Sequence, residues 1–217
     1  MLVIQGAGDQ IAGFILLECA PVQAECVALF SASSSENRLK YLEGFREAAF
    51  LASNCGRFAL EYVLWENPAA LAAARATPIF WEHIRIVEHH TTVRHVSFSS
   101  SYMTLGAKRI TFARGERFSM AVYRPDAPKA WPQSLDDLRA SVDLKHHHSF
   151  VQMAEDHTSI VLLSGDGSES SAANVAPSIL GTPDFRDDFI VVESISTPRG
   201  GEKPHAAYAL TLPSAHT

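Results

Sequence analysis

This 217-residue sequence predicts an α+β protein built from two consecutive units, each ordered strand, helix, strand, strand, helix, strand. Three observations carry the prediction. Short apolar runs alternate with stretches of helical period in that order, clearly in the first half and more loosely in the second. Two adjacent strand-like runs, "FREAAFLAS" and "FALEYVLWE", are joined by the turn-like "NCGR". Two local matches also recur in the same order in both halves. "TPIFWEH" (Thr77–His83) aligns with "TPDFRDD" (Thr182–Asp188), and "EYVLWE" (Glu61–Glu66) aligns with "SIVLLS" (Ser159–Ser164). The unit is the split βαβ, or ferredoxin-like, arrangement. One such sheet leaves an apolar face uncovered, and two in one chain can bury theirs against each other. The expected architecture is therefore two tandem ferredoxin-like units packed as a pseudo-dimeric α/β barrel. Residues 1–104 form the first unit and residues 105–217 a second, degenerate one.

Taken in order, "IAGFILLECA" reads as a buried strand ended by Pro21. Val22 to Glu43 carries apolar residues on a rough helical period, with a break expected at "SASSSE", where serine is a poor helix former. Gly44 stops that helix, and the hairpin follows. Asn67 as N-cap and Pro68 at the first helical position open "NPAALAAARA". "TPIFWEHIRIVEHH" continues as a second helical piece, and "VRHVSFSSSYM" closes the unit as a strand. "TLGAKRITFARG" is a linker or an added hairpin. In the second half "ERFSMAVY", "HSFVQMA", "HTSIVLLS" and "FIVVESIS" read as strands. "PQSLDDLRASVDL" reads as a helix, and "SSAANVAPSILGTPDFRDD" as helical in part.

Composition narrows the function. The net charge of −6 argues against nucleic acid or anionic membrane as a partner. The longest apolar runs are far shorter than the roughly 20 residues that span a bilayer. "MLVIQGAGDQ" has no basic n-region and no cleavage-site pattern, so no signal peptide is expected. Cys19, Cys26 and Cys55 have no metal spacing, which suggests a reduced, cytoplasmic protein. "SGDGSES" (Ser164–Ser170) lacks the lysine of a phosphate loop, and no GxSxG elbow occurs. His146, His147 and His148 are consecutive and do not converge on one ion, so they read as a loop. No spacing suggests a metal site. Trp131, in "RPDAPKAWP", packs over either a pocket or the core.

Gly44, Phe45, Tyr62, Trp65, Glu66, Pro78, Phe80 and His83 stand in an order that resembles the antibiotic biosynthesis monooxygenase superfamily. That family's pattern is a glycine-phenylalanine, a hairpin, an aromatic-x-x-tryptophan-glutamate, a small-residue helix, then proline-x-phenylalanine and often a histidine. The resemblance covers residues 11–100 well and 115–196 poorly. It implies an oxygenase that converts a polycyclic aromatic polyketide with O₂, without metal or bound flavin. In a variant of that reading, reduced flavin is a diffusible cosubstrate from a partner flavin reductase. The alternative is a non-redox, ligand-binding or cyclase-like member of the same fold. A homodimer is compatible with either. Haem-degrading relatives use a histidine soon after the tryptophan, and residues 70–80 contain none.

The resemblance also supplies a site. Trp65 is the first catalytic candidate, an apolar wall with one N–H donor. Where the oxygenases have an asparagine four residues earlier, this chain has Glu61. A carboxylate there can act as base toward a phenol, or it can simply pair with Arg57. His83 matches a family position often filled by histidine, and its helix also carries His89 and His90. Tyr62, Phe45, Phe80, Trp81 and His95 complete the expected substrate-binding set. The aligned second copy has Leu163 for Trp65 and Asp188 for His83, so the ligand cleft is expected in the first unit.

Overall fold

The computed structural model describes residues 3–4, 9–105, 110–124, 132, 134–141, 149–154, 156–165 and 180–196. Trp131, His146–His148 and most of "SGDGSES" lie outside them. So does most of the helical stretch expected before residue 180.

The first half runs β2 (Ile11–Cys19), α1 (Ala24–Asn37), a 3₁₀ turn (Leu39–Tyr41), β3 (Phe45–Ser53) and β4 (Phe58–Trp65). It continues through α2 (Pro68–Arg75) and α3 (Pro78–Glu88) to β5 (Thr91–Ser99). Local signals account for most of these limits. The Asn67 side chain accepts from Ala70 N–H at 2.8 Å, and Pro68 opens α2. Thr77 caps α3 in the same way, accepting from Phe80 N–H at 3.3 Å ahead of Pro78. Gly56 turns the β3–β4 hairpin at φ +73°. Gly44 has φ +78°, and a Cβ there would lie 2.2 Å from the Ala70 Cβ. Glycine at this position lets α2 close over the start of β3.

The second half runs β6 (Tyr102–Leu105), β7 (Ile110–Thr111), β8 (Arg117–Tyr123), α4 (Leu135–Ser141), β9 (Ser149–Met153), β10 (Ile160–Gly165) and β11 (Phe185–Ser196). β7 pairs with β1 (Val3–Ile4), apart from the main sheet. Among the described residues the other nine strands form one antiparallel sheet, ordered β5-β2-β4-β3-β11-β8-β10-β9-β6. Within β5-β2-β4-β3, chain order reads fourth, first, third, second. The run β11-β8-β10-β9 reads the same. The two runs join where β11 pairs with β3. β5 and β6 stand at opposite ends of the order, yet only Ser100 and Ser101 separate them.

Side chains alternate across the strands, so the sheet has two buried faces. One face carries residues of both runs, including Phe14, Leu16, Tyr62, Leu64, Met120, Phe150, Leu163 and Phe189. On the other face, α1, α2 and α3 cover Leu17, Phe50, Val63 and Trp65. Under α4 lie Tyr123, Val151, Ile160 and Leu162.

Four expectations are corrected. α1 runs unbroken through its serines, because Ser31, Ser34 and Ser35 are buried against the first run and packing overrides their low propensity. The strand expected over "VRHVSFSSSYM" is two strands, bent at Ser100–Ser101 and bound to opposite ends of the sheet. "TPIFWEH" opens a helix, whereas Phe185–Asp188 of "TPDFRDD" belong to β11. Asp188 is therefore no counterpart of His83. The match of "EYVLWE" to "SIVLLS" is out of phase by one residue. Trp65 faces the helices, while Leu163 faces the other side of the sheet with Met120, its register partner. A one-residue slip moves every side chain to the opposite face.

Candidate functional site

β4 presents Glu61, Val63 and Trp65 to the helices and turns Tyr62 and Leu64 away. α1 and α3 lie over this face. Between them and the strands is an inner slot of about 20 Å³, lined by Ser35, Phe50, Glu61, Trp65, Phe80 and His83 among others. A groove of about 400 Å³ adjoins it outside, between α3 and the β2–β5 strands. Glu61, Phe80, His83, Ile84, Ile15 and Phe98 border both spaces. The groove's volume suits a small organic ligand, and the slot's suits one water-sized molecule. Gly13 helps to shape the wall, since a Cβ there would meet the Phe98 ring at 2.3 Å.

Polar atoms converge where the two spaces meet. His83 is buried on α3, with Nε2 3.7 Å from Glu61 Oε2 and Nδ1 3.0 Å from Ser34 Oγ. The first is too long for a hydrogen bond and the second is one. Glu61 Oε1, Trp65 Nε1 and Ser35 Oγ are buried with no hydrogen-bond partner among the described residues. Such atoms cost stability where they stand, on the order of 1–3 kcal/mol each. Their gathering around one cavity is what a ligand site requires. Arg57 hydrogen-bonds Glu18 at 2.6 Å, so it is not the partner of Glu61. Among the described residues no group of three or more His, Cys, Asp or Glu is placed to hold a metal ion.

The structure brings together some of the residues expected at the site and separates others. Trp65 is fully buried, with Phe45 edge-on to it at 5.7 Å and Phe80 tilted at 6.4 Å. Trp81 is half-exposed on the outer groove. It packs on Phe80 and donates through Nε1 to the Arg75 carbonyl. Arg75 in turn sits 4.8 Å from the Phe98 ring. The ring of Tyr62 is elsewhere, packed on Phe14 and Phe112 on the opposite face. Strand alternation dictates this, since Tyr62 neighbours Glu61. His95 also points away from the groove, in register with Leu16. His89 and His90 are exposed beyond the end of α3, and only His83 of the three reaches the site. Sequence reasoning missed Ser34, Ser35 and Phe98. The spacing of Ser31, Ser34 and Ser35 fits one helix face, but nothing in it says that the face is buried.

No family model matches the chain, and no curated protein matches it. Solved structures do. One described as an anthrone oxidase-like protein has 15% identity and a TM-score of 0.65, over 94% of this chain and 99% of its own. A putative monooxygenase from Fusobacterium nucleatum has 6% identity and a TM-score of 0.63, over 87% and 95%. Another, from Lactobacillus acidophilus, has 12% identity and a TM-score of 0.51, over 88% and 97%. At these identities the likeness is one of fold. The chain shares the fold of these proteins, in which each of its two runs has the ferredoxin-like strand order.

Proposed function

We propose that this chain, with the fold of the antibiotic biosynthesis monooxygenase-like proteins, is an oxygenase. Its substrate is an electron-rich polycyclic aromatic phenol or anthrone, and O₂ is the cosubstrate. The observation that carries the proposal is the set of unpartnered buried atoms, Glu61 Oε1 where the aromatic-walled groove meets the inner slot and Trp65 Nε1 within that slot, with His83 bordering both. The names of the structural neighbours support the same reaction class.

The architecture we infer is a tandem pair of ferredoxin-like units, residues 1–104 and 105–217, rolled into a pseudo-dimeric barrel. The repeated strand order supports it, as does the two-residue link between the sheet's end strands. A further support is the Gln152 side chain, which donates from β9 to the Ala12 carbonyl on β2.

In this reading the substrate lies flat along Phe80, Trp81 and Phe98. Glu61 Oε1 takes the proton that makes the substrate an anion. His83, held through Nδ1 by Ser34, faces Glu61 with Nε2 and shares the charge. The anion passes one electron to O₂, and the radical pair joins as a peroxide on the ring carbon. Loss of water leaves a carbonyl there. The sum is CH₂ + O₂ → C=O + H₂O, which needs no external reductant. Trp65 N–H donates to the oxygen that gains charge. The apolar walls of Phe80, Trp81 and Phe98 shield the reactive anion from water.

The test is turnover of a dihydroxyanthrone by the purified chain, in air and under argon. The expected result is quinone formation with one O₂ consumed per product in air, and none under argon. Equal conversion without O₂ would instead make this a cyclase-like protein, and binding without conversion a purely ligand-binding one.

A further inference from the structure

His95 and Ser97 have no part in the groove, and both are buried. Each exposes less than a tenth of its surface, and His95 Nε2 and Ser97 Oγ have no hydrogen-bond partner among the described residues. They line a separate space of about 470 Å³ between β5 and the β9–β10 turn, together with Arg94, Arg124, Thr158 and Ser159. A bulge shapes this wall. Leu16 pairs with His95 and Leu17 with Val93, so Arg94 is an extra residue on β5. Such an insertion re-aims the side chains beside it.

The polar groups around this space are not balanced. Among the described residues the carboxylates here, Asp156 in the wall itself and Glu18 beside Arg94, are engaged. Glu18 binds both Arg57 and Arg94. Asp156 Oδ1 accepts from the Thr158 N–H at 3.1 Å and hydroxyl at 2.7 Å. The donors have capacity left. Arg124 has five N–H groups and lies 3.5 Å from Asp184, beyond a good hydrogen bond. Burial, and then the charge of Arg124, hold the pKa of His95 below its ordinary value. Its ring is therefore neutral at pH 7 and carries one N–H. A ligand that supplies acceptors suits a guanidinium, a serine hydroxyl and His95 Nε2 in its N–H tautomer.

We propose that this cavity is a second ligand site, independent of the groove, which binds a small organic carboxylate. The carboxylate spans Arg124, His95 Nε2 and Ser97 Oγ, and the ligand's body lies toward Ala154. A planar oxyanion matches the guanidinium fork, with the neutral donors completing its shell.

Benzoate is the probe, benzamide its uncharged isostere and inorganic phosphate the alternative oxyanion. Each is titrated into the full chain while the histidine ring signals are followed by NMR, with His95 assigned from His95→Gln. The expected result is a saturable shift of the His95 signal with benzoate and none with benzamide. Arg124→Gln weakens benzoate about tenfold or more, in keeping with loss of a charge-assisted hydrogen bond. Arg124 is half-exposed, so this variant keeps the fold. Glu61→Gln, on the other face, leaves benzoate binding unchanged. No His95 shift at tens of millimolar benzoate overturns the proposal, as does an equal response to benzamide. Binding of phosphate in preference to benzoate overturns the assignment to a carboxylate.

Discussion

The helix-covered face of β4 and that of β10 occupy the same place in two runs of identical strand order, yet they are finished differently. Over β4, Glu61, Trp65 and Ser35 hold buried polar atoms without partners beside a cavity. Over β10 the described side chains satisfy one another. Ile160 and Leu162 pack with Tyr123, Val151 and Leu138, and the buried hydroxyls of Ser149 and Ser164 lie 2.9 Å apart. One backbone plan therefore supports both a candidate site and a plain core. What distinguishes them is unmet hydrogen-bonding capacity, which a core avoids and a binding site keeps.

Substitutions on the two faces should separate stability from turnover. Leu162→Ala has the largest expected effect. It empties a packed position over β10 and should cost about 2–5 kcal/mol in urea unfolding. Turnover per folded molecule should stay as in the parent. A fall in turnover alone would show that the second run takes part in the chemistry. Glu61→Gln should do the reverse. It keeps shape, removes the base and should lower turnover roughly 100-fold, with the unfolding midpoint little changed. An effect of only a few-fold would leave Glu61 as a structural residue.

The third prediction concerns the face that the two runs share. Burial raises the pKa of Glu47, on β3, from 4.5 to about 7. The folded chain thus holds a proton there that the unfolded chain releases. Stability is unaffected below about pH 4.5 and falls as pH rises from there through 7. The loss at pH 8 is about 3 kcal/mol. Glu47→Gln should flatten this slope, which urea titrations at pH 5 and pH 8 would show. An unchanged slope would mean that other groups set it.

Legibility from sequence followed how local each cause was. Asn67–Pro68 and Thr77–Pro78 fix helix starts through neighbours three residues away, so these starts could be read directly. The β3–β4 hairpin was readable for the same reason. The face of Tyr62 could have been read from alternation alone, because Glu61 and Trp65 share a parity that Tyr62 lacks. The phase of β10 could not. "IVLLS" is buried on both faces and offers no alternation to follow. "TPDF" misled because proline and threonine open strands and helices alike. The serines of α1 were hidden by the opposite effect. Their propensity argues for a break, while their small side chains let the helix settle onto the first run. Of the candidate site, the residues Trp65, Phe45, Phe80, Glu61 and His83 were named from the resemblance, and the structure places them near one another. Ser34 and Ser35 needed the tertiary structure.

The pairing of β3 with β11 sets an order of events during translation. β3 is made early, and its hydrogen-bonding edge is completed by the last described strand of the chain. On the order of 140 residues separate the partners, which is roughly 10–30 s of ribosomal synthesis. Through that interval the nascent first run presents a long, largely apolar open edge, the kind of surface on which chains mispair. Its four strands and three helices can be assembled while that edge waits for β11. The hazard is greatest on crowded polysomes, where the same unfinished edge stands on every neighbouring chain.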